Sequence, residues 1–333
     1  MKLTFLGTGA GSPSLTRNVS SLGLQWPQRA ALWLFDAGEG TQQQVLRSAL
    51  RLSHLEQIWV THLHGDHVFG LPGLLASRSS AQDIQTPLTI FGPVGLEEWV
   101  RTTLRLTATG LKFPLQFVTV SEGLVYEDDT REVHCRRLNH RVTSYGYAVR
   151  EKPRPGTFDA DAAKALGVPF GPQFGVLKAG GTVTLPDGRS VDGNTLVGPL
   201  RPGRTVVVCG DTGVTPAAAE LAHGADVLVH EATFTTDQQE RAVAAGHSTA
   251  AEAATVARDA EVGILILTHV SARYESDTSP KVSDLLAEAS AIFPNTLLAH
   301  DFWTYELGTG TGSAGSLDYS LDLPPRFWDN RVL

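Results

Sequence analysis

Cysteine and methionine are scarce in this sequence, with two of the first and one of the second in 333 residues. Two thiols cannot build the disulfide framework of a small secreted domain. Cys135 and Cys209 both stand in apolar, strand-like contexts, which suits buried thiols of a reduced intracellular protein. No apolar run approaches the roughly 20 residues that a membrane span needs. The longest, around residues 262–267, is strand-sized. A secretory signal is not expected either, because only a few apolar residues follow Lys2 before Gly7, Gly9 and Gly11. The reading is a cytoplasmic protein without a membrane partner. Basic excess is also lacking: 27 Lys and Arg stand against 35 Asp and Glu, a net charge of −8. That balance argues against a protein that coats nucleic acid through a globally basic surface. With 42% hydrophobic and 19% charged residues, disorder, collagen and coiled coil are excluded, and an ordinary globular core is affordable in apolar content.

What is present begins with strands. Period-2 apolar stretches at residues 2–6, 20–24 and 31–35 are separated by glycine-rich or polar turns. A helical stretch is expected over 40–52, strands over 57–60 and 87–91, and a helix over 96–106. Strand-like runs follow at 116–120, 123–126, 132–138 and 145–149. Buried-type strands are expected at 205–209, 226–230, 262–267 and 296–299, with helical patterns between them. Each half supplies strands and then helices, which points to two facing sheets with helices outside. The expected architecture is an α/β, αββα four-layer sandwich in one domain spanning residues 1–333.

Residues 152–203 interrupt this order. They are rich in Pro and Gly and too long for an ordinary connection, so they read as a protruding arm. A strand pair at 182–185 and 189–191 around Pro186-Asp187-Gly188 favours an ordered protrusion. From Arg150 to Arg204 there are eight basic and five acidic residues, a net +3, which leaves −11 for the remainder. The charge is segregated.

Directly after the strand at 57–60 stands Thr61-His62-Leu63-His64-Gly65-Asp66-His67. Residues two apart on an extended backbone share a face, so His62 and His64 can reach one ion together. Asp66 and His67, beyond Gly65, can turn toward a neighbouring one. Imidazole and carboxylate suit zinc, and two-metal sites hold ions about 3.5–4 Å apart. A binuclear site needs ligands from elsewhere. His140, Asp211 and His269 each follow a strand end and complete two coordination spheres as a set. The Gly7, Gly9, Gly11 series lacks the long helix of a dinucleotide loop and reads as a turn against the site.

These residues resemble the signature of the metallo-β-lactamase superfamily. The resemblance implies that fold, with one zinc on His62, His64, His140 and Asp211 and a second on Asp66, His67, His269 and the bridging Asp211. The stretches Phe5 to Ser14 with Arg17-Asn18, Asn139 to Tyr147, His230-Glu231-Ala232-Thr233 and His247-Ser248-Thr249 narrow it further. They are similar to the ribonuclease Z family in its short form, which trims the 3′ trailer of precursor tRNA. Gly171-Pro172, Lys178 and Gly180-Gly181 resemble that family's flexible, tRNA-binding arm, and the family implies a homodimer.

Hydrolysis of a phosphodiester by a zinc pair leaves one further task, protonation of the departing alkoxide. His247 is the candidate donor, oriented by Glu231. It precedes Thr249-Ala250-Ala251-Glu252, a capping-box pattern, so the helix dipole disfavours its imidazolium unless Glu231 or substrate phosphate counteracts it. The competing reading has His247 binding backbone phosphate or capping the helix. Asp66 is similarly open, as a zinc ligand or as a proton acceptor. Arg150, Lys152, Arg154, Lys178 and Arg189 could hold tRNA on the arm, by shape and backbone. Two alternatives keep part of this reading: a small-molecule phosphodiesterase or arylsulfatase-like hydrolase, which would not need the arm, and a silent RNA-binding homologue, which would be expected to have lost a ligand.

Overall fold

The computed structural model describes residues 1–81, 84–275 and 280–308. In chain order the strands are β1 (Lys2–Gly7), β2 (Ser21–Trp26), β3 (Ala31–Phe35), β4 (Leu55–Trp59), β5 (Leu88–Gly92), β6 (Leu115–Thr119), β7 (Gly123–Glu127) and β8 (Arg131–Leu138). They continue as β9 (Ser144–Glu151), β10 (Thr182–Thr184), β11 (Ser190–Asp192), β12 (Thr205–Cys209), β13 (Val227–Glu231), β14 (Ile264–Thr268), β15 (Thr296–Leu298) and β16 (Thr304–Glu306). The α-helices are α1 (Thr41–Arg47), α2 (Gly65–Val68), α3 (Leu71–Ser80), α4 (Leu96–Leu106), α5 (Ala160–Ala165), α6 (Pro172–Lys178), α7 (Pro216–Ala222), α8 (Gln239–Ala245), α9 (Ala250–Asp259) and α10 (Val282–Ile292).

Two seven-stranded sheets face each other, ordered β16-β1-β2-β3-β4-β5-β6 and β15-β14-β13-β12-β9-β8-β7. Each is antiparallel on one side and parallel on the other, through β3 to β6 in the first and β12 to β15 in the second. Between them lies an aromatic-rich core including Trp33, Phe35, Trp59, Phe91, Tyr147, Val206 and Val229. Trp59 stacks on Phe91 with centroids 3.9 Å apart. Each outer face carries its own helices. Leu71, Leu74 and Leu75 of α3 and Val100 of α4 pack on Leu34, Ile58 and Ile90. On the other side the small residues Ala250, Ala253, Ala254 and Ala257 let α9 lie close to Leu228 and Leu265. The four layers expected from the sequence are present.

Local chemistry explains the helix ends. In α4, Leu96, Val100 and Leu104 fall on one buried face at four-residue spacing, with Glu97 and Glu98 in the first turn and Arg105 in the last. α9 opens on the capping box of Thr249 and Glu252 that its sequence predicts. The helix expected over 40–52 is shorter. α1 stops at Arg47, where Ser48 turns extended and its hydroxyl donates to Val45 O, and a 3₁₀ turn follows at Leu52–His54.

Between β9 and β12 the chain leaves the sandwich and returns. This excursion carries α5, α6 and the β10–β11 hairpin, closed around a small core of Ala163, Val168, Leu177, Val183, Leu185, Val191 and Leu196. Its neck is narrow: Arg154 and Arg201 pair as a β-bridge with N–H···O distances of 3.0 and 2.8 Å. At its base Arg204 donates to both carboxylate oxygens of Glu151 at 2.7 Å, and Trp26 Nε1 donates to Oε1 at 3.1 Å. Burial alone would raise the Glu151 pKa, but Arg204 outweighs it and holds the carboxyl below its ordinary range. A folded-state pKa below the unfolded value adds stability that is full above the ordinary glutamate value of 4.5 and is lost as pH falls through the depressed one. Glu151→Gln should therefore cost about 1–2 kcal/mol at pH 7, the scale of a charged hydrogen bond. The gap from wild type, read by denaturant melts across pH, should close in acid. A gap that is constant with pH would contradict this.

Candidate metal centre

Polar side chains gather where the parallel strands end, the side of an open sheet at which the loops of both halves converge. The loop after β4 supplies His62, His64, Asp66 and His67; those after β8, β12 and β14 supply His140, Asp211 and His269. Two quartets form. One is His62, His64, His140 and Asp211, and the other is Asp66, His67, Asp211 and His269, with ligand atoms within 4.8 Å of one another. Asp211 belongs to both. Its approach needs Gly210, where a Cβ would lie 2.5 Å from Thr61 Cβ and 2.8 Å from Ser144 Oγ.

The spacings within the quartets decide what the cluster can hold. His62 Nε2 lies 3.1 Å from His64 Nδ1, and His140 Nε2 lies 3.3 Å from the same nitrogen. His67 Nε2 and His269 Nε2 are 3.4 Å apart, and Asp66 Oδ2 is 3.3 Å from His269 Nε2. Nitrogens bound about 2.0–2.1 Å from one tetrahedral zinc lie about 3.3 Å from each other. The far side of most rings is held in turn. His67 Nδ1 meets Asp36 at 2.7 Å, His140 Nδ1 meets Gly246 O at 2.6 Å, His269 Nδ1 meets Thr233 Oγ1 at 2.8 Å and His62 Nδ1 meets Thr61 Oγ1 at 3.0 Å. Each bond leaves the opposite nitrogen facing inward, the arrangement that orients metal-binding histidines. The donor set fits a pair of divalent cations.

Electrostatics point the same way. Burial, reinforced by neighbouring imidazoles, pushes the His62 pKa down to about 2, so its ring is neutral and its lone pair available. Burial would raise the carboxyls of Asp66 and Asp211, but the surrounding histidines hold both well below the ordinary range. In His67 burial is outweighed by Asp211 and Asp36, which raise the ring pKa above its ordinary value.

His247 and Glu231 adjoin the cluster. Glu231 ends β13, is buried, and accepts from His247 Nδ1 and from Thr212 N, both at 2.8 Å. Burial would lower the His247 pKa, yet the Glu231 carboxylate raises it to about 9. The His247 ring lies 5.0 Å from that of His140 and 5.4 Å from that of His269. His230 is buried behind, with Nδ1 on Glu231 O at 2.8 Å, while His134 pairs with Glu132 and His300 with the Asp301 carbonyl.

One residue escapes the sequence reading. Asp36, at the end of β3, accepts from Thr61 N and Thr61 Oγ1 at 2.8 Å each while holding His67. Its strand-end position was the available signal, hidden by the turn-like Asp36-Ala37-Gly38-Glu39-Gly40. Gly11 N donates to Asp66 Oδ2 at 2.8 Å, so the glycine-rich turn does lie against the cluster.

The basic residues singled out for substrate lie elsewhere. Gly171 precedes α6, Pro172 starts it and Lys178 ends it, in the excursion. Arg150 and Lys152 instead face the sandwich, pairing with Glu132 at 3.8 Å and Glu127 at 2.6 Å. Arg189 is taken by Asp187 and Lys164 by Asp161.

The described residues contain no helix long and apolar enough to cross a membrane. Residues 177–270 match a beta-lactamase superfamily domain, and residues 1–113 match the anti-Pycsar protein Apyc1 family. A ribonuclease Z of Brevibacillus brevis is 51% identical over 302 residues, covering 90% of this chain and 95% of that one. A ribonuclease Z of a Synechococcus species is 51% identical over 312 residues, covering 92% and 98%. The crystal structure of the short form of human tRNase Z aligns with a TM-score of 0.64 at 30% identity, over 92% of this chain and 100% of that one. The sandwich is the metallo-β-lactamase fold. Identity at half of the aligned positions, sustained over nine-tenths of this chain and of its relatives, makes it a member of the ribonuclease Z family.

Proposed function

We propose that this chain is a zinc-dependent endoribonuclease that removes the 3′ trailer from precursor tRNA and leaves a 3′-hydroxyl on the tRNA. The observation that carries the reading is the pair of quartets sharing Asp211, built in a chain of this family. His62, His64, His140 and Asp211 would hold one zinc, and Asp66, His67, His269 and Asp211 the other, two per subunit. Bound there, the ions would supply Lewis acidity, offsetting phosphate charge and bringing water within reach of deprotonation near neutral pH.

The remaining work falls to the protein. Glu231 fixes His247 through Nδ1, which leaves Nε2 to hand a proton to the departing 3′-oxygen of the tRNA, while the phosphate stays on the 5′ end of the trailer. Asp36, Thr61, Thr233 and the Gly246 carbonyl keep the donor rings in register before substrate arrives.

Residues 152–203 act in this reading as an exosite arm of a single catalytic domain, holding the tRNA body away from the cut. Among the described residues Arg154, Lys178 and Arg201 of the arm are in no ion pair with a carboxylate, so their charge is available to phosphate; Gly171, Pro172, Arg150 and Lys152 shape and anchor the same element. Dimerisation would let one subunit's arm serve its partner's site. Two buried free thiols, Cys135 and Cys209, suit the reducing cytoplasm.

The test uses a precursor tRNA bearing a trailer, with the intact enzyme and one in which Gly156 is joined to Gly198 by a short linker. The two glycines are close, since a Cβ on Gly156 would lie 2.3 Å from Gly198 O. Wild type should release the trailer in a chelator-sensitive reaction. Arm removal should cut kcat/KM for RNA on the order of a hundredfold, as lost phosphate contacts would, yet retain chelator-sensitive hydrolysis of bis(4-nitrophenyl) phosphate. A small-molecule hydrolase would leave the trailer uncut.

A further inference from the structure

One aromatic side chain beside the metal centre takes no part in the core or in the chemistry above. Phe69 follows directly on α2, the turn that carries Asp66 and His67, and is 61% exposed. Its ring lies across Gly65, between His64 and Asp66. A Cβ on that glycine would fall 2.2 to 2.6 Å from three Phe69 ring carbons, so only a bare Cα lets the ring settle there. Trp99 of α4 backs it, with ring centroids 6.3 Å apart and planes 30° from parallel. Leu63 extends the apolar surface to Gly95, at the start of α4.

A phenyl ring held against donor-bearing backbone, with most of its surface in water, is poorly explained by packing, since α3 and α4 bury their apolar faces without it. Single exposed apolar residues are ordinary; a contiguous aromatic surface at the mouth of a site marks a binding surface. The chemistry of the substrate class supplies the occupant. A phosphodiester entering the metal centre brings a nucleotide on either side, and a strand that is drawn into a cleft loses the stacking of its own bases. An aromatic face replaces that stacking without reading sequence.

We propose that Phe69, supported by Trp99, is a stacking platform for the nucleobase that flanks the scissile phosphate of the RNA. This rests on the ribonuclease reading above and names a subsite within it. Phe69 positions the substrate strand and exchanges no proton.

The experiment is a cycle between protein and base. Precursor tRNAs are made with an abasic residue at the discriminator position or at the first trailer position, and are cut by wild type, Phe69→Ala, Phe69→Leu and Phe69→Trp. Leucine keeps apolar bulk over Gly65 should alanine loosen the loop, and bound zinc is measured for each variant. On the normal substrate Phe69→Ala and Phe69→Leu should lose about 5- to 150-fold in kcat/KM, the range for one stacked base, and Phe69→Trp should stay near wild type. At one of the two positions the abasic substrate should be cut poorly by wild type, with no further loss from Phe69→Leu. Independent, multiplying losses at both positions, or full activity of Phe69→Leu on normal RNA, would overturn the platform and leave the ribonuclease reading standing. If wild type leaves the normal precursor uncut, the ribonuclease reading fails and the platform with it.

Discussion

Asp211→Ala should lower kcat for trailer removal about a thousandfold or more, and bound zinc should fall from the proposed two per chain toward none. Asp211 is the carboxylate common to both quartets: its Oδ1 lies 3.4 Å from His67 Nε2, and its Oδ2 lies 3.6 Å from His62 Nε2 and 3.4 Å from His269 Nε2. Losing it would remove one donor from each proposed ion and the anion that would offset their shared charge. Metal ions contribute several kcal/mol of charge stabilisation in such reactions, and about 4 kcal/mol corresponds to a thousandfold. By comparison Asp36→Ala, which frees His67 Nδ1 but removes no donor, should cost about 10- to 100-fold in activity or metal affinity. Elemental analysis beside initial rates checks both. An Asp211→Ala enzyme with two bound zinc ions and near-normal turnover would end the shared-ligand assignment.

His247→Ala should keep its zinc and lose about 10²- to 10⁴-fold in kcat on precursor tRNA, the range for removing a general acid. His247 is tied by Nδ1 to Glu231, adjoins both quartets and is no member of either, whereas Glu231 keeps its hydrogen bond from Thr212 N when the ring is removed. The cleanest discriminator is the leaving group. A ribose alkoxide departs only when protonated, but 4-nitrophenolate departs unaided. The loss in His247→Ala should therefore shrink below about tenfold on a 4-nitrophenyl phosphodiester. An equal loss on both substrates would mean that His247 binds phosphate or braces the loop instead. Glu231→Gln should fall between wild type and His247→Ala, because an amide oxygen cannot serve Thr212 N and His247 as the carboxylate does.

These effects trace to residues that were legible at the start for a physical reason. Polar residues that directly follow apolar strands converge at one end of the sandwich, and His62, His140, Asp211 and His269 share that placement. The same rule applies to Asp36, but aspartate amid glycines is also the ordinary composition of a turn, and one sequence cannot separate the two meanings. Its φ of +57° shows that it is both. Sandwich strands were readable because alternation and β-branched runs reflect burial on one or two faces. Helix α1 ends short of the expected 40–52 because its end is set by a local bond at Ser48 that composition does not display. Free charge on the arm depends on pairing that chain order does not display. Lys152 finds Glu127 and Arg150 finds Glu132 only because β8 and its neighbours lie beside β9 in space. A count along the chain treats both as free. Phe69 is invisible in the same way, since nothing in Val68-Phe69-Gly70-Leu71 announces that the second apolar residue faces water.

Four of the seven residues of the two quartets come from the loop after β4 in the first sheet, and three from loops after strands of the second. On a ribosome the earlier group emerges well before Asp211, and His269 comes last. Neither coordination sphere is whole until translation has passed that histidine and the later half has docked. Until then the nascent chain offers only partial, weaker sites. A cation pair held by these seven residues would thus load late in the maturation of the chain, and an activity that depends on it would be withheld from incomplete chains.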